Sequence, residues 1–461
     1  MLFTSLEFLL FFLPCVLLLY VVLPHRAKNV WLLLASLFFY AWGEARFLPV
    51  MLLSILFNYL SALLIARATR AKRAILVLSV VGNLGMLFVF KYANFFTALL
   101  HSLIPAISRT AIALPIGISF FTFQAMSYVI DVYRGTPVQR DPLSLGLYIS
   151  LFPQLIAGPI VRYTDVEREL RERRVTWEGG ANGILRFLRG FNKKVLLANA
   201  LATLADAAFD GGAIGAGLAW LGVLAYALQI YFDFSGYSEM AIGLGAMLGF
   251  SFPENFNDPY ISGTVSEFWR RWHITLGSWF RDYLYFPLGG SRVSSRARLA
   301  FNLGVVWLCT GFWHGASWNF LFWGAWYGLL IGVEKIFDLP RRIRTHGLGS
   351  VFYRVLTLLA ILLGWVFFRA EGLGAAGAYV FSMLGLGGAD TETLFYLREY
   401  FVILAVALVC ATPLPRVLKA RLLRRETPAQ LATVGVQVLL FLVSVSFIVM
   451  DAHDPFIYFN F

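Results

Sequence analysis

Long apolar stretches separated by short polar loops recur along the whole chain. They include residues 5 to 24, 28 to 42, 47 to 66, 73 to 93 and 431 to 450. A helix needs about 20 mostly apolar residues to cross a bilayer, and we expect about 11 to 12 such helices in all. The pattern therefore predicts an all-α polytopic membrane protein.

Two stretches interrupt this pattern and are not expected to cross the bilayer. Residues 143 to 161 are apolar but contain Pro153, Gly158 and Pro159, whereas residues 251 to 298 are too polar to span and rich in aromatic side chains. Irregular backbone is tolerated at membrane depth only where protein or a water-filled cavity satisfies its polar groups. Amphipathic rings are favoured at the membrane interface. We therefore expect a re-entrant segment followed later by interfacial helices.

The apolar stretches run almost edge to edge, which predicts a single membrane domain over residues 1 to 461. We divide it into N-terminal helices at 1 to 111, a core at 112 to 337 and C-terminal helices at 338 to 461. Hydrophobic residues make up 59% and charged residues 14% of the chain, against roughly a quarter charged in soluble domains. The opening segment lacks a basic n-region and a cleavage site, so we expect a retained transmembrane helix.

The net charge of +12 comes from basic residues in the loops between apolar stretches. Because cytoplasmic loops of membrane proteins are enriched in Lys and Arg, this charge reports topology and does not indicate a nucleic-acid partner. Taking the basic loops as cytoplasmic places both termini on the periplasmic side. The single cysteines Cys15, Cys309 and Cys410 lie in apolar stretches and predict neither a disulfide framework nor a metal site.

Two histidines are candidates for catalysis. His314 lies between two apolar helical runs and is flanked by Gly311 and Gly315. It is either a hydrogen-bonded structural histidine or a general base, and the glycines, which allow close approach of a substrate, favour the base. His273 lies in an aromatic, basic segment and is either an interfacial anchor or part of the site.

The residues just before His273 are candidates for binding a donor molecule. Arg270 and Arg271 would meet the phosphates of a cytosolic donor, because guanidinium groups pair with phosphate bidentately. Trp269 and Trp272 flank them and would contribute to the same surface. The arginines would equally suit lipid headgroups.

Polar residues within or beside apolar stretches form a third group. These candidate supporting residues are Asp233, Ser235, Tyr237, Glu239, Asn257, Asp258 and Asn319. Asp233 and Glu239 place two carboxylates in one apolar span, where each needs a partner or a proton. They either orient a histidine or lock helices together, and the sequence spacing leaves both roles open.

Five segments resemble the membrane-bound O-acyltransferase family, and within it the branch that acetylates bacterial exopolysaccharides. They are LPIGISFFTFQAMSYVIDVYRG at 114 to 135, LFPQLIAGPIVRY at 151 to 163, QIYFDFSGYSEMAIGLGAMLGF at 229 to 250, EFWRRWHITLGSWFRDYLYFPLGG at 267 to 290 and GFWHGASWNFLFWGAWYG at 311 to 328. The ending PFIYFNF at 455 to 461 also resembles this branch.

The resemblance implies a ring of tilted helices around a central funnel, with His314 as the essential histidine and His273 as the second. It implies cytosolic acetyl-CoA as the donor and no permanently bound cofactor. It further implies that acetyl crosses the bacterial inner membrane to a periplasmic SGNH-type partner, which works with polysaccharide machinery to acetylate an alginate-like polymer.

Three other functions fit parts of the same pattern. A related acyltransferase would take D-alanine or another acyl group from a cytosolic carrier protein, docked on the segment RYTDVERELRERR at 162 to 174. A transporter or flippase would use Asp233, Glu239 and His314 as a substrate or proton path. A structural scaffold of a polysaccharide synthase would need no chemistry at these residues.

Overall fold

The computed structural model describes residues 1 to 342, 347 to 423 and 426 to 450. The regular structure in these three ranges is helical, without any strand. The all-α prediction is therefore confirmed. The predicted aromatic ending at 455 to 461 lies outside the described residues.

The chain forms two compact units, the first comprising Met1–Phe187 and Ser238–Glu254 and the second comprising Leu188–Tyr237 and the residues from Asn255 onward. The helices up to the first boundary are α1 (Leu13–Val22), α2 (His25–Glu44), α3 (Leu48–Arg67), α4 (Lys72–Leu87), α5 (Ala93–Leu103), α6 (Ile118–Tyr133), α7 (Pro142–Ser150), α8 (Phe152–Leu155), α9 (Tyr163–Glu172) and α10 (Trp177–Asn192). The later helices are α11 (Asn199–Asp210), α12 (Ala216–Met247), α13 (Val265–Arg271), α14 (Ile274–Phe280), α15 (Arg296–His314), α16 (Trp318–Ile336), α17 (Leu339–Arg342), α18 (Leu348–Arg369), α19 (Leu373–Met383), α20 (Thr393–Cys410), α21 (Leu414–Leu423) and α22 (Glu426–Met450). Helices α10 and α12 each contribute residues to both units.

Several helical stretches are long and apolar enough to cross a membrane. Within the described ranges there are six of them: His25–Arg67, Lys72–Leu103, Ala216–Met247, Leu348–Arg369, Thr393–Cys410 and Leu431–Met450. The first contains α2 and α3, which have 20 residues each and are joined by a single 3₁₀ turn. The protein is therefore a multi-pass membrane protein, as the hydropathy pattern predicts.

In the first unit, α6 is buried along nearly its whole length and packs against α3 and α4. Residues 143 to 161 form α7 and α8, of 9 and 4 residues, which are too short to cross a bilayer. Gly117 precedes α6 with φ +74°, and a Cβ there would lie 2.6 Å from the Leu155 carbonyl oxygen. Glycine at this position therefore lets the backbone after α8 lie directly against the start of α6.

In the second unit, α15 and α16 form an antiparallel hairpin with very close backbone contact. A Cβ at Gly311 would overlap the Phe320 carbonyl oxygen, and one at Gly324 would overlap the Trp307 carbonyl oxygen. The small residues bring the two helices together, as in other membrane-embedded helix pairs. This packing fixes the end of α15, where His314 lies.

The polar, aromatic stretch at 251 to 298 forms short helices, as expected. It contains α13 and α14, of 7 residues each, and the start of α15. Glu334 on α16 accepts the N–H groups of Val265 and Ser266 at 2.7 and 2.8 Å. The buried carboxylate satisfies free N–H groups at the positive end of α13 and holds this helix against α16.

Candidate active site around two histidines

His314 is the last residue of α15 and is only 3% exposed. Its ring is surrounded edge-to-face by Trp313 at 5.0 Å, Trp323 at 5.0 Å and Phe368 at 5.2 Å between centroids. The next residue, Gly315, leaves the helix in an extended conformation, and a Cβ there would overlap the Phe320 ring. The imidazole therefore lies in a tight aromatic enclosure at a helix C-terminus.

His273 lies between α13 and α14, in the left-handed region with φ 44°, and is 2% exposed. Its Nδ1 is 3.0 Å from Oδ1 of Asn255, which also accepts the Thr275 hydroxyl at 2.9 Å and the Thr275 N–H at 3.3 Å. A backbone N–H can only donate, so this Asn255 atom is the acceptor and His273 Nδ1 carries the hydrogen. Burial lowers the pKa of His273 to about 3, so the ring is neutral and presents a lone pair at Nε2.

The two predicted histidines come together around Trp313. The centroid of this indole lies 5.0 Å from the His314 ring and 6.2 Å from the His273 ring. Phe234 of α12 packs perpendicular to His273 at 4.7 Å. Residues from α12, α15 and the α13–α14 turn therefore build one buried site within the second unit.

The two predicted donor-site tryptophans lie in the aromatic core next to this site. Trp272 is 2% exposed and packs against Trp365 at 4.9 Å. Trp269 packs edge-to-face on Trp323 at 5.3 Å, and Trp323 in turn contacts His314. Both tryptophans therefore link α13 to the enclosure around the histidine.

The two predicted donor-site arginines have different surroundings. Arg271 is paired with Glu267 at 2.9 Å and donates to the Asn257 carbonyl oxygen at 3.1 Å. Arg270 is exposed. Burial lowers the pKa of Lys335, and the positive charge of nearby Arg270 lowers it further. Arg270 and Lys335 are therefore close enough for their charges to interact.

Asp233 forms a buried ion pair with a lysine that the sequence analysis did not single out. Its carboxylate lies 2.8 Å from Lys194 Nζ, and the two side chains are 1% and 2% exposed. Lys194 also donates to Asn199 Oδ1 at 2.8 Å. The pair joins α12 to the turn before α11, one residue from Phe234. Lys193 and Lys194, directly before the mostly apolar run VLLANALATLA at 195 to 205, were the available signal.

The other candidate supporting residues are more dispersed. Ser235 and Tyr237 are buried in the second unit, whereas Glu239 belongs to the first unit. Asp258 has φ 44° and forms an ion pair with Arg416. The remaining two differ in exposure: Asn257 is exposed, and Asn319 is buried and donates to the Ala370 carbonyl oxygen at 2.6 Å.

The residues that the sequence analysis did not list as candidates mainly orient the two histidines or hold α13 in place. Asn255 fixes the His273 tautomer, Trp313 contacts both histidines, and Glu334 anchors α13 while also accepting the Tyr353 hydroxyl at 2.9 Å. A lone acidic residue in the apolar run of α16 was the one sequence signal for Glu334. Asn255 lies in the polar loop that also contains Asn257 and Asp258, and Trp313 directly precedes His314. The sequence does not show that either contacts His273, because that contact joins different segments.

The chemistry that this arrangement supports is proton transfer. A neutral imidazole can remove a proton from a hydroxyl group. The C-terminal carbonyls of α15 would stabilise the imidazolium formed on His314. In the part of the chain that the structure describes, no three His, Cys, Asp or Glu side chains come together as a metal ion would require.

Comparisons with known proteins identify the family. Residues 99–354 match the model of MBOAT, the membrane-bound O-acyltransferase family. The probable alginate O-acetylase AlgI of Azotobacter vinelandii is 45% identical over 399 residues, covering 84% of this chain and 79% of the relative. AlgI of Pseudomonas aeruginosa is 45% identical over 84% of this chain and 75% of its own length. The peptidoglycan O-acetyltransferase of Helicobacter pylori is 36% identical, with coverages of 85% and 81%. The chain therefore belongs to the membrane-bound O-acyltransferase family and is an acyltransferase.

Proposed function

We propose that this protein moves acetyl groups from cytosolic acetyl-CoA across the inner membrane for O-acetylation of a secreted, alginate-like polysaccharide. The names of its relatives support the acetyl group and the polymer. The observation that carries the mechanism is that two buried imidazoles both contact Trp313, with ring centroids at 5.0 and 6.2 Å.

In the proposed mechanism, His314 is the general base. It removes the proton of an acceptor hydroxyl as the oxygen attacks the thioester carbonyl. The carbon–sulfur bond then breaks, and the thiolate of coenzyme A leaves and takes up the proton held by His314. Neutral His273 accepts a hydrogen bond at Nε2 from a second donor group of the acceptor molecule and so orients the acceptor. A thioester is already activated, so no acyl-enzyme is needed.

We place the phosphates of the donor at the basic end of α13. Arg270 is exposed, its charge interacts with that of Lys335, and two interacting cations suit a group with several negative charges. Arg271 belongs to the same surface, and its pairing with Glu267 fixes its direction. Trp269 and Trp272 connect this surface to the enclosure of His314 through packed rings.

The proposed topology puts both termini in the periplasm, with the basic loops on the cytoplasmic side. An SGNH-type periplasmic partner would receive the acetyl group and complete the modification with the polysaccharide machinery. Reporter fusions after residue 24 and after residue 70 test this topology. Both positions lie in predicted cytoplasmic loops, so a reporter that is active only in the cytoplasm should be active at both. A periplasmic location of either fusion would contradict this topology and the direction of acetyl transfer that we derive from it.

The decisive experiment measures transfer of labelled acetyl from acetyl-CoA by the protein in nanodiscs, with the periplasmic partner present. His314→Gln should lower the rate of acetyl transfer by a factor of about 10² to 10⁴, as expected for removal of a general base. His101→Gln is the matched control, since this histidine lies on α5 and bonds the Ile107 carbonyl oxygen. Full activity in folded His314→Gln would refute the mechanism. Transfer from an acyl-loaded carrier protein but not from acetyl-CoA would show that the donor is a carrier protein, as in the alternative acyltransferase that moves D-alanine.

A further inference from the structure

A cluster of basic side chains lies at the turn between α1 and α2 and has no acidic partner among the residues that the structure describes. Tyr20 lies between Lys28, whose Nζ is 4.7 Å from the ring centroid, and Arg173, whose Cζ is 5.5 Å from it. Arg173 donates to the Tyr20 hydroxyl at 2.7 Å and to Asn29 Oδ1 at 2.5 Å. Neither Lys28 nor Arg173 forms an ion pair with a carboxylate of any residue that the structure describes.

Arg173 needs a further partner. The side chain is 6% exposed, and its Nη2 is buried without a hydrogen-bond acceptor. A buried charge without a counter-charge is costly, and an unsatisfied charged donor adds to that cost. The N-terminus of α2 begins at His25, beside Lys28, with no acidic residue in its first turn. The positive end of the helix dipole therefore adds to the field at this cluster.

An apolar groove lined by α1, α2 and the residues before α1 comes within one helical turn of the cluster. Its volume is 510 Å³, and its walls include Phe11, Cys15, Val16, Trp31, Phe38 and Trp42. Trp31 lies one helical turn from Lys28, and Val16 lies one turn from Tyr20. The distance along α2 from Trp31 to Trp42 is about 16 Å. This is close to the thickness of one lipid leaflet, which is half of a hydrocarbon core of about 30 Å. The groove therefore has the length of one lipid leaflet.

We propose that the groove and the Lys28–Arg173 cluster together form a binding site for one phospholipid with an anionic headgroup. The acyl chain lies in the groove, and the headgroup phosphate lies beside Lys28 and compensates Arg173. A groove open to the bilayer is filled by acyl chains, and the uncompensated positive charge at its end selects a lipid with net negative charge.

The test is native mass spectrometry of the full-length protein, delipidated and then supplied with equal amounts of phosphatidylglycerol and phosphatidylcholine of identical chains. Wild type should retain phosphatidylglycerol in preference. Lys28→Gln should weaken that preference about fivefold, the effect expected for one cation near a headgroup. Cys15→Trp, at an exposed position in the groove, should reduce retention of both lipids. Arg70→Gln, an exposed residue of another basic loop, should change neither.

Arg173→Gln tests the buried charge, and its fold is checked by gel filtration because Arg173 also holds Tyr20 and Asn29. Lys28 is partly exposed, so Lys28→Gln tests the proposal without this risk. Equal retention of the two lipids by wild type would overturn the proposal, as would an unchanged preference in Lys28→Gln. Displacement of the lipid by an equal concentration of soluble glycerol phosphate would assign the site to a free phosphate ligand and would also overturn it.

Discussion

At the scale of single residues, the two histidines differ in what surrounds their rings. His314 is enclosed by aromatic rings at a helix C-terminus, where a cation is stabilised. His273 is fixed by Asn255 in one neutral tautomer. The first environment suits a group that takes up a proton during the reaction. The second suits a group that accepts a hydrogen bond and keeps its direction.

The lowered pKa of His273 predicts a pH dependence of stability. The folded protein protonates this ring only near pH 3, against 6.5 for an ordinary histidine. Between these values the unfolded chain binds one proton more, so stability falls as the pH falls, by up to about 1.4 kcal/mol per pH unit from this group. His273→Asn keeps a donor for Asn255 and tolerates the left-handed backbone, and it removes this contribution.

Thermal unfolding in detergent from pH 4.5 to 8 measures the effect. The difference in stability between wild type and His273→Asn should be constant above about pH 6.5 and should change steadily below it. Parallel curves down to pH 4.5 would show that the folded protein protonates His273 as readily as the unfolded chain.

At the scale of helices, the glycines of the α15–α16 hairpin predict a position-specific effect of one methyl group. Gly311→Ala should destabilise by about 1 to 3 kcal/mol, because its Cβ would overlap backbone of α16. Gly304→Ala on the same helix is the control, since nothing lies within 4 Å of a Cβ there. Alanine is the better helix former, so this control should be neutral or slightly stabilising. Thermal melting and acetyl transfer compare the two, and equal effects would exclude close packing as the cause.

Glu334 predicts that α13 depends on a residue of α16. Glu334→Gln replaces one accepting oxygen by a donor, which leaves an N–H of α13 or the Tyr353 hydroxyl unsatisfied. We expect a loss of about 1 to 3 kcal/mol. A raised KM for the proposed donor, acetyl-CoA, should accompany it, because α13 carries Arg270, the residue that we propose to bind the donor phosphates. Glu371→Gln, at an exposed position after α18, serves as the control. Unchanged melting and KM in Glu334→Gln would mean that α13 is held by its aromatic contacts alone.

At the scale of the whole molecule, lipid does not drive helices together, so interior polar contacts help select one arrangement. The Lys194–Asp233 pair is such a contact, with both side chains almost completely buried. Asp233→Leu leaves a buried lysine without its counter-charge and should cost about 3 to 5 kcal/mol. The double variant Lys194→Met/Asp233→Leu removes both charges and should recover most of that loss.

Chemical or thermal unfolding of the single and double variants measures this coupling. Glu167→Gln is the control, since it breaks a partly exposed pair with Arg171 and should cost less than about 1 kcal/mol. If the single and double variants were equally unstable, the pair would contribute no coupling, and the lysine and aspartate would act independently.

The sequence alone determined the features that depend on neighbouring residues. Hydropathy is a local property, so it correctly predicted membrane-spanning helices. Residues 143 to 161, which contain Pro153, Gly158 and Pro159, form only short helices, and their re-entrant course stays a prediction. The motifs around His273 and His314 correctly indicated the family. The catalytic roles of these histidines stay predictions.

Only the tertiary structure decided which distant residues meet. It brought Trp313 into contact with His273, gave His273 its tautomer through Asn255, and paired Arg271 with Glu267 and Asp233 with Lys194. Each contact depends on how helices pack, and no local pattern records which face of one helix meets another. The sequence therefore supplied the candidate chemistry, and packing decided which side chains meet around the histidines and which hold the helices in place.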